Sequence, residues 1–198
     1  MQEFWNQRFA TDNYAYGIKP NKFFKEKIDS LKPGALLLPG EGEGRNAVYA
    51  AKKGWDVTAV DFSVKAQIKA NRLASEHHVE INYILDTLDK SVIPEDTFDA
   101  AAFIFVHLEA DRFEIVIKKV LKSLKKGGTL IFECFSEKQL GKTSGGPKTI
   151  DRLYTLPQVK KYLKDTDIKY LQEEEIALKE GEFRTGRAVV IRAVAKKL

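Results

Sequence analysis

The segment ALLLPGEGEGRNAVYAAKKG (35–54) limits the possible folds more than any other stretch of this chain. ALLLP is apolar on both faces, as expected of a short strand covered from both sides. Gly40, Gly42 and Gly44 follow it, and then Ala47, Val48, Ala50 and Ala51 recur at helical spacing up to Gly54, a natural stop. Glycine at a strand-to-helix turn supplies positive φ and lets a ligand approach the backbone closely. The spacing here is G-x-G-x-G, which differs from the G-x-G-x-x-G of dinucleotide-binding turns. Those turns seat a pyrophosphate on the helix N-terminus, and Glu41 and Glu43 would repel one. An acidic loop suits a phosphate-free ligand that carries positive charge.

The same alternation continues downstream. DVTAVD (56–61) reads as a second strand and SVKAQIKANRLASEHH as a second helix, with Ser63 as its N-cap. INYILD (81–86) gives a third strand, FDAAAFIFVHL contains a fourth, and TLIFECF (129–135) gives a fifth. DRFEIVIKKVLKSLKKGG reads as a helix ending at its glycine pair. Strands apolar on both faces and separated by helices imply an α/β fold with a doubly wound, mostly parallel sheet and helices on both faces. The last segment differs: DIKYLQEEEIAL and RAVVIRAVAKKL alternate apolar and polar residues and are joined by KEGEFRTG. That pattern predicts a C-terminal antiparallel hairpin, for seven strands in all.

At 198 residues the chain fits a single domain, 1–198, with 1–30 as an N-terminal cover and 31–198 as the core. One cysteine, Cys134, allows neither an intrachain disulfide nor a cysteine-rich metal site, and no metal is expected. No run is long and apolar enough for a membrane span, and the polar, aromatic start MQEFWNQRFATDNYAYG does not read as a signal peptide. A cytoplasmic protein, monomeric or homodimeric, is expected. The formal charge is +5, but the lysines are mixed with acids along the whole chain, as in KEKIDS and KKYLKDTD. This is the pattern of solvated helix faces, so no nucleic-acid partner is expected.

Two aspartates extend the glycine turn into a constellation. Asp61 ends the second strand, where a carboxylate can accept hydrogen bonds from two ribose hydroxyls. Asp86 ends the third, where it could accept an adenine amino hydrogen beside the backbone of Thr87; a turn-forming role is the alternative. Glycine loop, Asp61 and Asp86 share the carboxyl edge of successive parallel strands, where open α/β sheets bind ligands.

The order of glycine loop, Asp61, Asp86, FDAAAFIFVHL, KKGGTLIF and terminal hairpin resembles the class I, Rossmann-like S-adenosylmethionine methyltransferases. GEGEGRNAVYAA and the opening FWNQRFATDNYAYGIKPNKFF are similar to the tellurite-resistance and thiopurine methyltransferase-like branch. The resemblance covers nearly the whole chain. It implies a methyltransferase with S-adenosylmethionine as cofactor and a small-molecule acceptor that is soft or anionic, with S, Se, Te or O as nucleophile. It further implies that Gly40, Glu41 and Gly42 meet the methionine part, Asp61 the ribose, Phe62 the adenine face, and Asp86 and Thr87 the adenine edge. Phe105, Val106 and His107 would line the floor, while Tyr14, Tyr16 and Gly17 would close over the cofactor. His107 and Arg45 are the candidate catalytic residues, with backbone satisfaction and a salt bridge to the loop as their respective alternatives. Arg152, Arg184 and Arg187 are further sources of positive charge around the pocket. One departure stands out: the family carries an acid two positions before the first loop glycine, and here that position is Leu38. A cofactor-binding protein without transferase activity is the competing reading. The FVHLEAD stretch lacks the Asn/Asp-Pro-Pro-aromatic motif of amino-methylating nucleic-acid enzymes.

Overall fold

The computed structural model describes residues 2–198. Its centre is one seven-stranded sheet in the order β3-β2-β1-β4-β5-β7-β6. The strands are β1 (Ala35–Pro39), β2 (Asp56–Asp61), β3 (Asn82–Leu85), β4 (Phe98–Ile104), β5 (Leu124–Phe135), β6 (Thr166–Glu180) and β7 (Arg184–Lys197). β7 alone runs against its neighbours, pairing antiparallel with both β5 and β6. The helices are α1 (Gln2–Arg8), α2 (Lys22–Ile28), α3 (Arg45–Lys52), α4 (Val64–Glu76), α5 (Ala110–Ser123) and α6 (Leu156–Tyr162). None is long and apolar enough to cross a membrane.

The apolar strands divide their side chains between two cores, as a period of two requires. Leu37, Ala101, Phe103, Leu130 and Phe132 face one side, where Phe113, Val116, Ile117 and Val120 of α5 cover them. Leu36, Leu38, Val57, Ala59, Ala100 and Ala102 face the other, against Phe24 and Ile28 of α2 and Ala47 and Ala50 of α3. The α5 residues recur at i, i+3, i+4 and i+7, and each buried side chain contributes on the order of 1.5–3 kcal/mol. Ser63 caps α4 as expected, its hydroxyl accepting from the Ala66 amide at 3.2 Å.

Two boundaries differ from expectation. α5 stops at Ser123, before the glycine pair, because Leu124 already pairs with Phe98 and starts β5. Gly127 and Gly128 then lie in a stretch where the β4–β5 register shifts, so they serve a bulge and not a helix stop. The C-terminal hairpin is tighter than KEGEFRTG suggested, with only residues 181–183 outside its strands. Gly181 makes this possible: its φ is +62, and a Cβ there would meet the Ala15 carbonyl oxygen at 2.4 Å. The hairpin turn therefore presses directly on the N-terminal segment.

Candidate active site

The carboxyl ends of β1, β2 and β4 open into a cleft of about 960 Å³, counting its mouth. Gly40, Gly42 and Gly44 all have left-handed φ, at +64, +68 and +87. A Cβ on Gly40 would meet Val106 at 2.7 Å, and one on Gly44 would meet the α4 residue Ala70 at 2.7 Å. Those two glycines are thus required by packing. Gly42 is different, since a Cβ there would touch only the tip of Phe9, at 3.5 Å. It leaves open room where a ligand can lie on the backbone.

The loop is held from several sides. Asp61 accepts from the Gly42 amide at 3.0 Å through one oxygen and from the Ser63 amide at 2.9 Å through the other. Burial pushes its carboxyl up to about 6. Tyr83 donates to the Gly42 carbonyl at 2.8 Å. Glu41 turns back onto α3 and accepts from the Asn46 and Ala47 amides, each at 2.8 Å. A carboxylate at a helix N-terminus satisfies amides that have no partner within the helix and matches the helix dipole. Burial nevertheless pushes Glu41 up to about 7. Leu38 itself is in the core, and no acid occupies that place.

Glu41 and Glu43 both line the cleft, but each carboxylate is already committed to partners within the protein. Glu43 is buried, pairs with Lys69 of α4, and accepts from the Ala15 amide at 2.8 Å. Lys69 also donates to the carbonyls of Thr11 at 2.9 Å and Asn13 at 2.6 Å. Glu43 and Lys69 thereby fasten the N-terminal segment to the core, and Trp5, Phe9, Tyr16 and Gly17 of that segment reach the cleft.

Among the other expected site residues, Phe62, Phe105, Val106, His107 and Arg45 also line the cleft. Phe105 has φ +53, a strained conformation for a bulky side chain, and its amide donates to the Glu133 carbonyl at 2.7 Å. That reversal ends β4 and brings Val106 and His107 to the cleft. His107 Nδ1 lies 2.9 Å from the Arg152 carbonyl, and burial lowers its imidazole to about 3, so it is neutral. Arg45 pairs with Glu180 at 2.8 Å and donates to the Tyr16 carbonyl at 3.3 Å. Of the two roles open to Arg45, the ion pair has a partner in place, although that partner is the hairpin and not the loop.

Tyr14, Asp86 and Thr87 are not brought into the cleft. The Tyr14 ring packs with Val48, Leu73 and Ala74 on the back of α3 and α4, and its hydroxyl donates to the Lys69 carbonyl at 3.1 Å. Asp86 accepts from the Thr87 amide at 2.7 Å, the turn-forming alternative, and Leu88 reaches the cleft instead. Arg152 pairs with Glu109, and Arg187 is solvent-exposed beside Glu175. Arg184 is the one of the three arginines that lines the cleft. Trp5, Phe9, Asn46 and Leu88 also line it, beyond the residues to which the motifs point; Trp5 and Phe9 share an i, i+4 spacing that is a legible signal.

Comparison with known proteins agrees with this geometry. Residues 37–128 match the family model described as a methyltransferase domain. TehB of Haemophilus influenzae, described as a probable S-adenosyl-L-methionine-dependent methyltransferase, is 26% identical over 99 residues, or 50% of this chain and 35% of that protein. Hemagglutinin 1 of Eikenella corrodens is 27% identical over 105 residues, covering 52% of this chain and 35% of its own length. The alignments thus span about a third of the length of these curated relatives. The crystal structure of TehB covers 100% of this chain and 67% of its own, with a TM-score of 0.76 at 18% identity. A structure described under the conversion of a disulfide bond into a thioacetal group during echinomycin biosynthesis covers 100% and 91%, with a TM-score of 0.79 at 15% identity. Residues 37–128 are thus similar to a methyltransferase domain, and over its whole length the chain shares the Rossmann-like fold of the TehB structure.

Proposed function

We propose that the chain is an S-adenosylmethionine-dependent methyltransferase acting on a small-molecule acceptor with a soft or anionic S, Se, Te or O nucleophile. The observation that carries this reading is Asp61. It is a buried carboxylate at the end of β2, tied to the one loop glycine whose Cβ position is open to the cleft. Each Asp61 oxygen is directed by one backbone amide and retains capacity to accept a second donor. Paired ribose hydroxyls are such donors. Phe62 gives an apolar surface beside it for a base, and Gly40, Glu41, Gly42 and the aromatic Tyr16–Gly17 segment would surround the methionine part. Glu41 occupies the amides at the N-terminus of α3, where a dinucleotide's pyrophosphate would sit, which favours a phosphate-free cofactor.

S-adenosylmethionine, when bound, supplies a methyl group already activated on a sulfonium sulfur. The chain's contribution is then alignment and exclusion of water. Trp5, Phe9, Tyr16 and Phe105 give the cleft apolar walls, while His107 and Arg184 supply polar groups. The enclosed cleft and the tightly fastened cover favour a small acceptor over a polymer.

The test is an acceptor screen with formation of S-adenosylhomocysteine as readout, using thiols, selenite, tellurite, thiopurines and simple oxyacids. Turnover on any of these small molecules is expected. Cofactor binding without turnover on any acceptor would favour a binding protein, and turnover on DNA or RNA alone would overturn the small-molecule reading.

A further inference from the structure

Among the described residues three cations line the cleft: Arg45, Arg112 and Arg184. Two are committed, Arg45 to Glu180 at 2.8 Å and Arg112 to Asp89 at 2.9 Å. Arg184 is only 8% exposed, yet its guanidinium makes no hydrogen bond among the described residues. It comes no nearer to a carboxylate than 3.7 Å, and that contact is to the Glu180 oxygen that already holds Arg45. The other Glu180 oxygen accepts from Asn21 at 3.0 Å, and the buried carboxylate beyond it, Glu133, has Arg192 as its own partner. Around Glu180, two guanidinium groups therefore share one carboxylate. A mostly buried cation without its own counter-charge is costly, and an incoming anion relieves that cost.

The guanidinium is also reachable and held in place. Nε2 of His107 is sealed, whereas no Arg184 nitrogen is, and Arg184 is a lining residue of the cleft. Its central carbon lies 3.9 Å from the centre of the Tyr16 ring and 4.2 Å from that of Phe105. Aromatic faces fix a guanidinium without using its N–H groups, so the planar edge stays free for a ligand. Two contacts put this group beside the glycine loop. Arg45, which shares Glu180 with it, directly follows Gly44. Phe105, which stacks on it, directly precedes Val106, the side chain that a Gly40 Cβ would meet at 2.7 Å. Asp61, by contrast, is tied to Gly42.

We propose that Arg184 binds the carboxylate of the cofactor's methionine part. This rests on the S-adenosylmethionine reading of the cleft and extends it to a contact made by the C-terminal hairpin. The other groups assigned to the methionine part, Gly40, Glu41 and Gly42, offer that carboxylate no positive charge. A guanidinium matches a carboxylate in charge and in its fork geometry. Because Tyr16 belongs to the N-terminal cover and Phe105 to the floor, one side chain then joins cover, floor and cofactor.

The test is calorimetry without turnover, comparing S-adenosylhomocysteine with its carboxamide, which keeps the size and the amino group and lacks the negative charge. The unaltered protein is expected to bind the acid at least tenfold more tightly, the scale of one charged hydrogen-bonded contact. Arg184→Met should cut that preference to about twofold or less, and Arg184→Lys should retain part of it. Arg187→Met removes an exposed charge beside Glu175 and should leave the preference intact. Equal affinity of the unaltered protein for acid and amide overturns the proposal, whatever the folding of the variants. A tenfold preference that survives Arg184→Met also overturns it, since another group must then hold the carboxylate. Absence of S-adenosylhomocysteine binding to the unaltered protein overturns the cofactor reading itself, and the proposal with it.

Discussion

Replacing Lys69 with methionine removes the cation from a place where a carboxylate has no other counter-charge. Glu43 and Lys69 both have almost no side-chain exposure, at 3% and 7%, so the Glu43 charge would be left buried. Breaking one partner of a buried pair costs about 3–5 kcal/mol, well above the ~0–1 kcal/mol of an exposed pair. The carbonyls of Thr11 and Asn13 lose their donor as well. For a domain of this size each kcal/mol lowers the melting temperature by about 2–4 °C, so a fall of roughly 6–20 °C is expected. Since Ala15 donates to Glu43 and Tyr16 and Gly17 line the cleft, amide protection over residues 11–17 and cofactor affinity should fall too. The double variant Glu43→Gln with Lys69→Met removes both charges and keeps an oxygen for the Ala15 amide. It should recover more than half of the lost stability. Urea unfolding with hydrogen exchange measures both. A single-variant loss below about 1 kcal/mol, or a double variant as unstable as the sum of its parts, would refute the view that this pair fastens the cover.

The other predictions concern the loop and its carboxylates. Asp61 has its pKa raised in the folded protein, so the stability it contributes is present below its unfolded value and is lost as pH rises through about 6. Ribose hydroxyls favour the charged form; S-adenosylhomocysteine affinity is therefore expected to drop about tenfold between pH 7 and pH 5, and Asp61→Asn should abolish this dependence in calorimetry. Gly44→Ala combines φ +87 with a Cβ 2.7 Å from that of Ala70, for a loss of about 2–4 kcal/mol in denaturant unfolding. Gly42→Ala meets only Phe9 at 3.5 Å, so its stability loss should stay near 1 kcal/mol, while its cofactor affinity falls more than that of any other loop glycine variant. Arg45→Met leaves Glu180 facing only Arg184 at 3.7 Å and Asn21, and should lower the melting temperature by several degrees, a change that Glu180→Gln in the same chain partly reverses.

Much of the fold is legible in the sequence because its strands are apolar on both faces. That feature demands two covered cores, and Leu36, Leu37 and Leu38 fall alternately into them. The carboxyl edge follows from the parallel order, which is why the glycine loop, Asp61 and His107 meet where their spacing predicts. Side-chain commitments are less legible. Glu41 and Glu43 look alike in GEGEG, yet one caps α3 and the other pairs with a lysine 26 residues on in α4, a partner that only tertiary packing supplies. Tyr14 and Tyr16 are two residues apart in an irregular segment, with no periodicity to say which turns inward. Asp86 satisfies its own turn, a local hydrogen bond that competes with any ligand. Arg184 reaches the cleft because the hairpin turn is only three residues long and Gly181 lets it pack against Ala15, a closeness invisible in the strand pattern.

A cleft built for S-adenosylmethionine at the ends of β1, β2 and β4 must also take up the demethylated product. Isothermal calorimetry of S-adenosylhomocysteine at neutral pH, with NAD under the same conditions, tests it most directly. The predicted result is saturable one-to-one binding of S-adenosylhomocysteine, weakened by Asp61→Asn, with no heat from NAD. Absence of S-adenosylhomocysteine binding, or equal affinity for NAD, would contradict the account.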